Sequence, residues 1–180
     1  MQLTTETVQA WLDTFTKEIE ANKAYLSDLD TPIGDGDHGN NMARGVAAYQ
    51  EAYAKQQPTT ISDTFKVFSM AMISKVGGAS GPLYGSAFMN MTKATKELET
   101  IDFFEQLGTI VEEGLTGIKM RGKAEFEDKT MVDVWQPVAE ALKKGELTKD
   151  TIEAAKEHTK ELVAKKGRAS YVGAVSYTHL

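Results

Sequence analysis

TETVQAWLDTFTKEIEANKAY, residues 5–25, sets the fold class. Val8, Trp11, Leu12, Phe15 and Ile19 recur at the offsets that line one face of a helix, and polar or charged residues fill the positions between them. The same period continues along the chain. Met42, Val46, Tyr49 and Tyr53 predict a second helix, and Phe65, Phe68, Met72 and Ile73 a third, with Ser62 as its N-cap. Pro82, just after Ser80 and Gly81, suits the first turn of a fourth helix anchored by Leu83, Phe88 and Met91. Asp102 and Glu105 form a capping pair for a fifth, which carries Phe104, Leu107, Val111, Leu115 and Ile118. Thr130 can cap a sixth with Val134, Trp135, Val138 and Leu142. Thr148 or Asp150 can start a seventh with Ile152, Ala155, Leu162 and Val163. No segment sustains period-two alternation, so the chain reads as all-α, an up-down arrangement of about seven antiparallel amphipathic helices.

Composition narrows the function. A chain of 180 residues with 41% hydrophobic content can fill one core, and nothing in its length requires two. A net charge of −6 and a pI near 5.2 remove the broad attraction that nucleic acid or an anionic membrane needs. The absence of cysteine excludes disulfides and thiolate metal sites and fits a reducing cytoplasm. Residues 1–12 lack a basic leader and an apolar run, so no signal peptide is expected, and no stretch approaches the ~20 apolar residues of a membrane span. The composition therefore points to a soluble, cytoplasmic protein.

Three connections break the helical rhythm. Residues 28–41 and 76–85 are rich in glycine, which costs about 1 kcal/mol per interior helical position relative to alanine. Residues 121–129 are charged and lack an apolar face, and they read as a solvated connection. These loops follow the first, third and fifth predicted helices, so up-down connectivity brings them to one rim.

The first loop places Asp30, Asp35 and Asp37 within eight residues, interleaved with Gly34, Gly36 and Gly39. Each aspartate alone reads as a turn former or helix cap. Together they repel unless a cation intervenes, and the all-oxygen set suits Mg²⁺ or Ca²⁺ without matching the EF-hand spacing, with magnesium preferred. Gly77-Gly78-Ala79-Ser80-Gly81 leads into a helix N-terminus, where exposed N–H groups and the helix dipole favour an anion. No P-loop lysine follows. His38 lies beside the aspartates and can contact phosphate, whereas His158 and His179 have no companions and the methionines read as core filler. Three carboxylates with two divalent cations leave a small positive balance, suited to a di- or triphosphate.

The runs Gly34-Asp35-Gly36-Asp37-His38-Gly39-Asn40-Asn41-Met42, Gly77 to Gly85, and Asp128-Lys129-Thr130-Met131-Val132-Asp133-Val134-Trp135 resemble the ADP-binding L subunit of the phosphoenolpyruvate-dependent dihydroxyacetone kinases. They are also similar to the C-terminal nucleotide-binding domain of the ATP-dependent dihydroxyacetone kinases. The resemblance runs to about Gly173 and implies an eight-helix barrel with a nucleotide and two Mg²⁺ at one rim. It makes Asp30, Asp35 and Asp37 the magnesium ligands. His38, Gly39, Asn40 and Asn41, with Gly78, Ala79 and Ser80, fall at the phosphates, and Gly122, Met131 and Arg168 fall at the rest of the nucleotide. It also implies a cycle in which a phosphohistidine M subunit converts resident ADP to ATP and the γ-phosphoryl passes to dihydroxyacetone on a K subunit. No side chain of this chain serves as nucleophile. A non-catalytic nucleotide-sensing adaptor that binds a transcriptional regulator needs the same site, and a helical bundle with a calcium-binding turn is the plainest alternative. Residues 174–180 depart from the family pattern, so the chain divides into a nucleotide-binding domain, 1–173, and an atypical tail that reads as a truncation or mis-joining. Such a truncation would expose an apolar seam on the first and seventh helices.

Overall fold

The computed structural model describes residues 1–172; the atypical tail and His179 lie outside them. The first amphipathic stretch forms α1 (Thr5–Ala21), opened by a capping box in which Thr4 and Thr7 satisfy each other's backbone N–H. It does not run on to residue 25. Asn22 turns its amide onto the Glu18 carbonyl at 2.8 Å, competing with the helical ladder, and the chain restarts as α2 (Lys23–Asp30). That break raises the number of α-helices among the described residues from the expected seven to eight.

The remaining helices are α3 (His38–Gln56), α4 (Ile61–Lys75), α5 (Ser80–Ala94), α6 (Leu107–Gly122), α7 (Val132–Lys144) and α8 (Lys149–His158). From α3 to α8 each helix packs on the next, while α1 lies across α3 and α4 and α2 lies on α3. The cap of α4 is Thr60 rather than Ser62, whose hydroxyl donates instead to the carbonyl of Thr92. Asp102 does accept from the N–H groups of Phe104 and Glu105, but it closes a turn that precedes α6. The periodicity gave no sign of one feature, an antiparallel pair of two-residue strands, β1 (Gln2–Leu3) and β2 (Ile101–Asp102), too short to show alternation.

The core is aromatic at its centre. Phe68 meets Phe88 at 4.3 Å between ring centroids and Tyr49 at 5.2 Å, so α3, α4 and α5 interlock around one ring. Tyr49, Phe65, Phe68, Leu12, Met42 and Met72 are fully buried, and each such side chain contributes about 1.5–3 kcal/mol of transfer free energy. Gly117 lets α6 approach α5 closely, since a methyl group there would sit 2.4 Å from the Ser86 carbonyl oxygen.

Between α1 and α7 the packing opens. Val8 and Trp11 face Val134, Trp135 and Val138 across a cavity of about 480 Å³, and Ile152 of α8 lines its edge. The cavity is lined chiefly by α1 and α7, with Ile152 as the α8 residue in it. The final predicted helix also ends earlier than its apolar residues suggested, at His158, so Leu162 and Val163 lie in an irregular segment.

Candidate functional site

The connections 31–37, 76–79 and 123–131 do converge on one rim, and the segment 159–167 joins them there. The acidic turn is built by α2 and α3. Asp30 ends α2, and its carboxylate accepts the N–H of Asp37 at 3.1 Å, which draws the start of α3 back over the end of α2. Gly36 takes a left-handed conformation, φ 70°, to make the turn. At Gly39 the two helices nearly touch: a methyl group there would stand 1.9 Å from the Lys23 carbonyl oxygen.

Asp30, Asp35 and Asp37 each present an oxygen within 4.8 Å of the other two. Asp37 stands at the N-cap of α3, yet its side chain caps no helix N–H, so the plain explanation for an aspartate at that position fails. Asp35 is exposed and pairs with Arg168 at 3.2 Å. A hydrogen bond with Asp37, followed by the Arg168 guanidinium, holds the Asp35 carboxyl below the usual carboxylate range. The set is all oxygen and solvent-accessible, which fits a hard divalent cation.

The second wall is the N-terminus of α5. Gly78 turns with φ 67°, and the helix begins at Ser80 with no side chain capping it, which leaves its first N–H groups for a ligand. The Ser80 hydroxyl lies 3.5 Å from His38 Nδ1, joining the heads of α3 and α5. Burial pulls the His38 pKa below its ordinary value and outweighs the opposing carboxylates of Asp30 and Asp37, so the imidazole is neutral near pH 7. Asn41 is buried against Gly77 and accepts from Arg44.

These residues line a cavity of about 500 Å³ that contains Asp30, Asp35, Asp37, His38, Asn41, Gly78, Ala79, Ser80 and Arg168. A more apolar slot of about 350 Å³ holds Gly122 and Met131, together with Pro82, Leu83 and Ile118. The two share Ala79, Lys166 and Gly167 as a common wall. Two residues stand apart from this group. Asn40 faces a separate groove with Glu20 and Lys23, and Gly39 is buried with its N–H donated to the Ser27 hydroxyl.

Sequence reading did not anticipate Lys166, Gly167 and Arg44 as lining residues, because an irregular segment and a mid-helix arginine carry no periodic signal. In the third loop Arg121, Lys123 and residues 125–127 are exposed, as a solvated connection requires, but its end is not: Asp128 and Lys129 are buried, as is Asp133 in the first turn of α7. The threonine three residues before Asp133 was the available clue: Asp133 accepts the Thr130 N–H while Thr130 accepts that of Val132.

A model of the DAK2 domain matches residues 32–180. The chain belongs to that family. Among DAK2 relatives it is 54% identical over 170 residues to the PEP-dependent dihydroxyacetone kinase 1, ADP-binding subunit DhaL, of Listeria innocua, covering 94% of this chain and 85% of that one. It is 38% identical over 194 residues to the PEP-dependent dihydroxyacetone kinase, ADP-binding subunit DhaL, of Escherichia coli, covering 99% and 90%. The resemblance read from the three motifs therefore holds. The crystal structure of the dihydroxyacetone kinase of C. freundii in its native form matches with a TM-score of 0.74 at 21% identity, over 94% of this chain and 31% of that one. That likeness establishes the all-helical fold. No helix among the described residues is long and apolar enough to cross a membrane.

Proposed function

We propose that this DAK2 protein is the nucleotide-carrying subunit of a cytoplasmic, phosphoenolpyruvate-dependent dihydroxyacetone kinase. In this reading residues 1–173 act as one unit, which takes phosphate from a phosphohistidine M subunit onto bound ADP and yields it to dihydroxyacetone on a K subunit. The observation that carries the reading is the meeting of three carboxylates, within 4.8 Å of one another, beside a polar cavity walled by an uncapped helix N-terminus. The names of the Listeria innocua and Escherichia coli relatives support the nucleotide and the reaction class.

Asp30, Asp35 and Asp37 would hold two Mg²⁺ ions, which would supply positive charge to neutralise that of the phosphates. The residues of the chain do the rest by position. The N–H groups at the head of α5 point a fixed positive dipole at the same cavity. Neutral His38, linked to Ser80, offers a ring nitrogen to phosphate without adding a charge. Arg168 places a guanidinium at the mouth of the cup, and the adjoining slot at Gly122 and Met131 suits the flat, less polar end of a nucleotide. No side chain of this chain need act as nucleophile, because the attacking oxygens belong to ADP in the first transfer and to dihydroxyacetone in the second, and alignment and charge neutralisation govern both.

The test is reconstitution. Purified protein combined with K and M subunits, phosphoenolpyruvate, the general phosphotransferase proteins and dihydroxyacetone yields dihydroxyacetone phosphate, and omitting the chain abolishes it. Failure of the complete mixture to form product contradicts the proposal.

A further inference from the structure

The charges buried in the third loop have partners in an unexpected place. Lys129 is only 5% exposed and meets no carboxylate among the described residues; its ammonium donates to two backbone carbonyls, those of Leu162 at 3.1 Å and Lys160 at 3.4 Å. Next to it, the Asp128 backbone carbonyl accepts the N–H of Lys165 at 3.0 Å, and the Asp128 carboxylate lies 3.6 Å from the Lys165 ammonium. A third tie is the Phe126 ring, stacked on His158 at 6.4 Å. All three run from residues 126–129 to residues 158–165, the stretch where α8 has ended and only turn-like bonds such as Lys160 to Glu157 remain. That stretch leads directly to Lys166 and Gly167, the wall shared by cup and slot, and to Arg168 on Asp35.

Burying an ammonium without an anion is costly, and the desolvation pulls the Lys129 pKa down. The carbonyls of Lys160 and Leu162 are suitable partners for it, because they lie past the end of α8, where no helical ladder supplies their donors. An apolar residue in place of Lys129 would remove the donor from both carbonyls and leave the segment tied by the Lys165 backbone and side-chain contacts to Asp128, the Phe126 ring and the burial of Ala164. The left-handed backbone at Lys129, φ 57°, aims the side chain across the gap at some conformational cost.

We infer that Lys129 is a positioning residue: it clamps residues 160–165 so that Arg168 is delivered to the acidic cup, and nucleotide retention depends on that clamp. The inference rests on the proposed nucleotide site for its consequence but on the clamp geometry for its mechanism, and the two are tested separately. Tryptic cleavage after Lys165, Lys166 and Arg168 reads the clamp, and calorimetric binding of ADP with Mg²⁺ reads the consequence. Lys129→Met speeds cleavage at those sites about tenfold while sites in α3 and α5 keep the wild-type rate, as expected when a charge-assisted pair holding one segment is lost. It also weakens ADP binding about tenfold, whereas Lys129→Arg, which keeps the donors, stays within about threefold of wild type on both readouts.

In an Arg168→Ala background the Lys129→Met effect on ADP binding falls below about threefold, since the clamp acts through that arginine. Unchanged cleavage, or cleavage accelerated equally along the whole chain, overturns the clamp. Faster local cleavage with unchanged ADP affinity, or additive losses in the double variant, overturns its link to retention. If wild-type protein takes up no ADP, the proposed function fails while the cleavage result still decides the clamp. Should Lys129→Met not fold, Lys165→Ala carries the same test with a smaller acceleration, about twofold, at Lys166 and Arg168.

Discussion

Two short acidic stretches at the same rim have opposite fates. Residues 30–37 carry Asp30, Asp35 and Asp37, and residues 128–133 carry Asp128 and Asp133 with Lys129 between them. In the first, Asp35 and Asp37 stay exposed, and three carboxylate oxygens crowd together. In the second, every charge is buried and already matched by protein. Asp133 accepts the N–H groups of Glu127 and Thr130, Asp128 accepts that of Glu125, and Lys129 donates to two carbonyls. Composition does not distinguish them. What distinguishes them is whether the fold supplies the partners: a charge satisfied from within fixes a segment, whereas a cluster left without enough counter-charge has room for something from outside.

The contrast breaks most visibly at Asp133. Replacing it with alanine empties a fully buried site and removes the acceptor from two part-buried N–H groups, and Asp133→Ala should lower the unfolding free energy by about 2–4 kcal/mol in urea melts. A loss under about 1 kcal/mol would show that the loop satisfies itself in some other way. In the acidic turn the constraint lies in the backbone. Gly36→Ala forces a Cβ into a left-handed conformation, 2.9 Å from the Thr31 hydroxyl, and should cost about 1–2 kcal/mol, with the Mg²⁺ response weakened as the carboxylates separate. The smallest effect belongs to a charge itself. Asp37→Asn removes no helix cap, since the side chain makes none, and relieves repulsion, so its stability in EDTA should stay within about 0.5 kcal/mol of wild type, yet any rise in Tm on adding Mg²⁺ should be lost. A large loss in EDTA would mean that the carboxylate serves the fold and not a cation.

Much of this was legible before any coordinates. The helix-period stripes name many of the residues that fill the core, because burial of one face is what selects them: Val8 and Leu12 in α1, Phe65 and Phe68 in α4; Ile73 and Ile152, on the same stripes, are exposed, and Phe104 lies exposed before α6 begins. The acidic turn was legible because carboxylates and glycines alternate too densely for a loop with no other task. Asn22 was not, since one side chain bonding its own helix leaves no pattern in the residues around it. Asn40 and Asn41 show the same limit at the site. They are adjacent and chemically identical, but one helical step of about 100° sends Asn40 to the groove of Glu20 and Lys23 and Asn41 to the cup. The burial of Lys129 was hidden for a further reason: its partners are main-chain carbonyls, which every residue has.

The central claim is that the crowded carboxylates exist to hold divalent ions against a nucleotide's phosphates. Isothermal titration of ADP into the protein, with Mg²⁺ and then with EDTA, measures that claim with no partner subunit present. The account predicts saturable uptake in Mg²⁺ that falls by at least about tenfold in EDTA and, with Mg²⁺ restored, by a similar factor in Asp35→Asn and in Asp37→Asn. Equal affinity with and without the metal, or either variant binding ADP as wild type does, contradicts it.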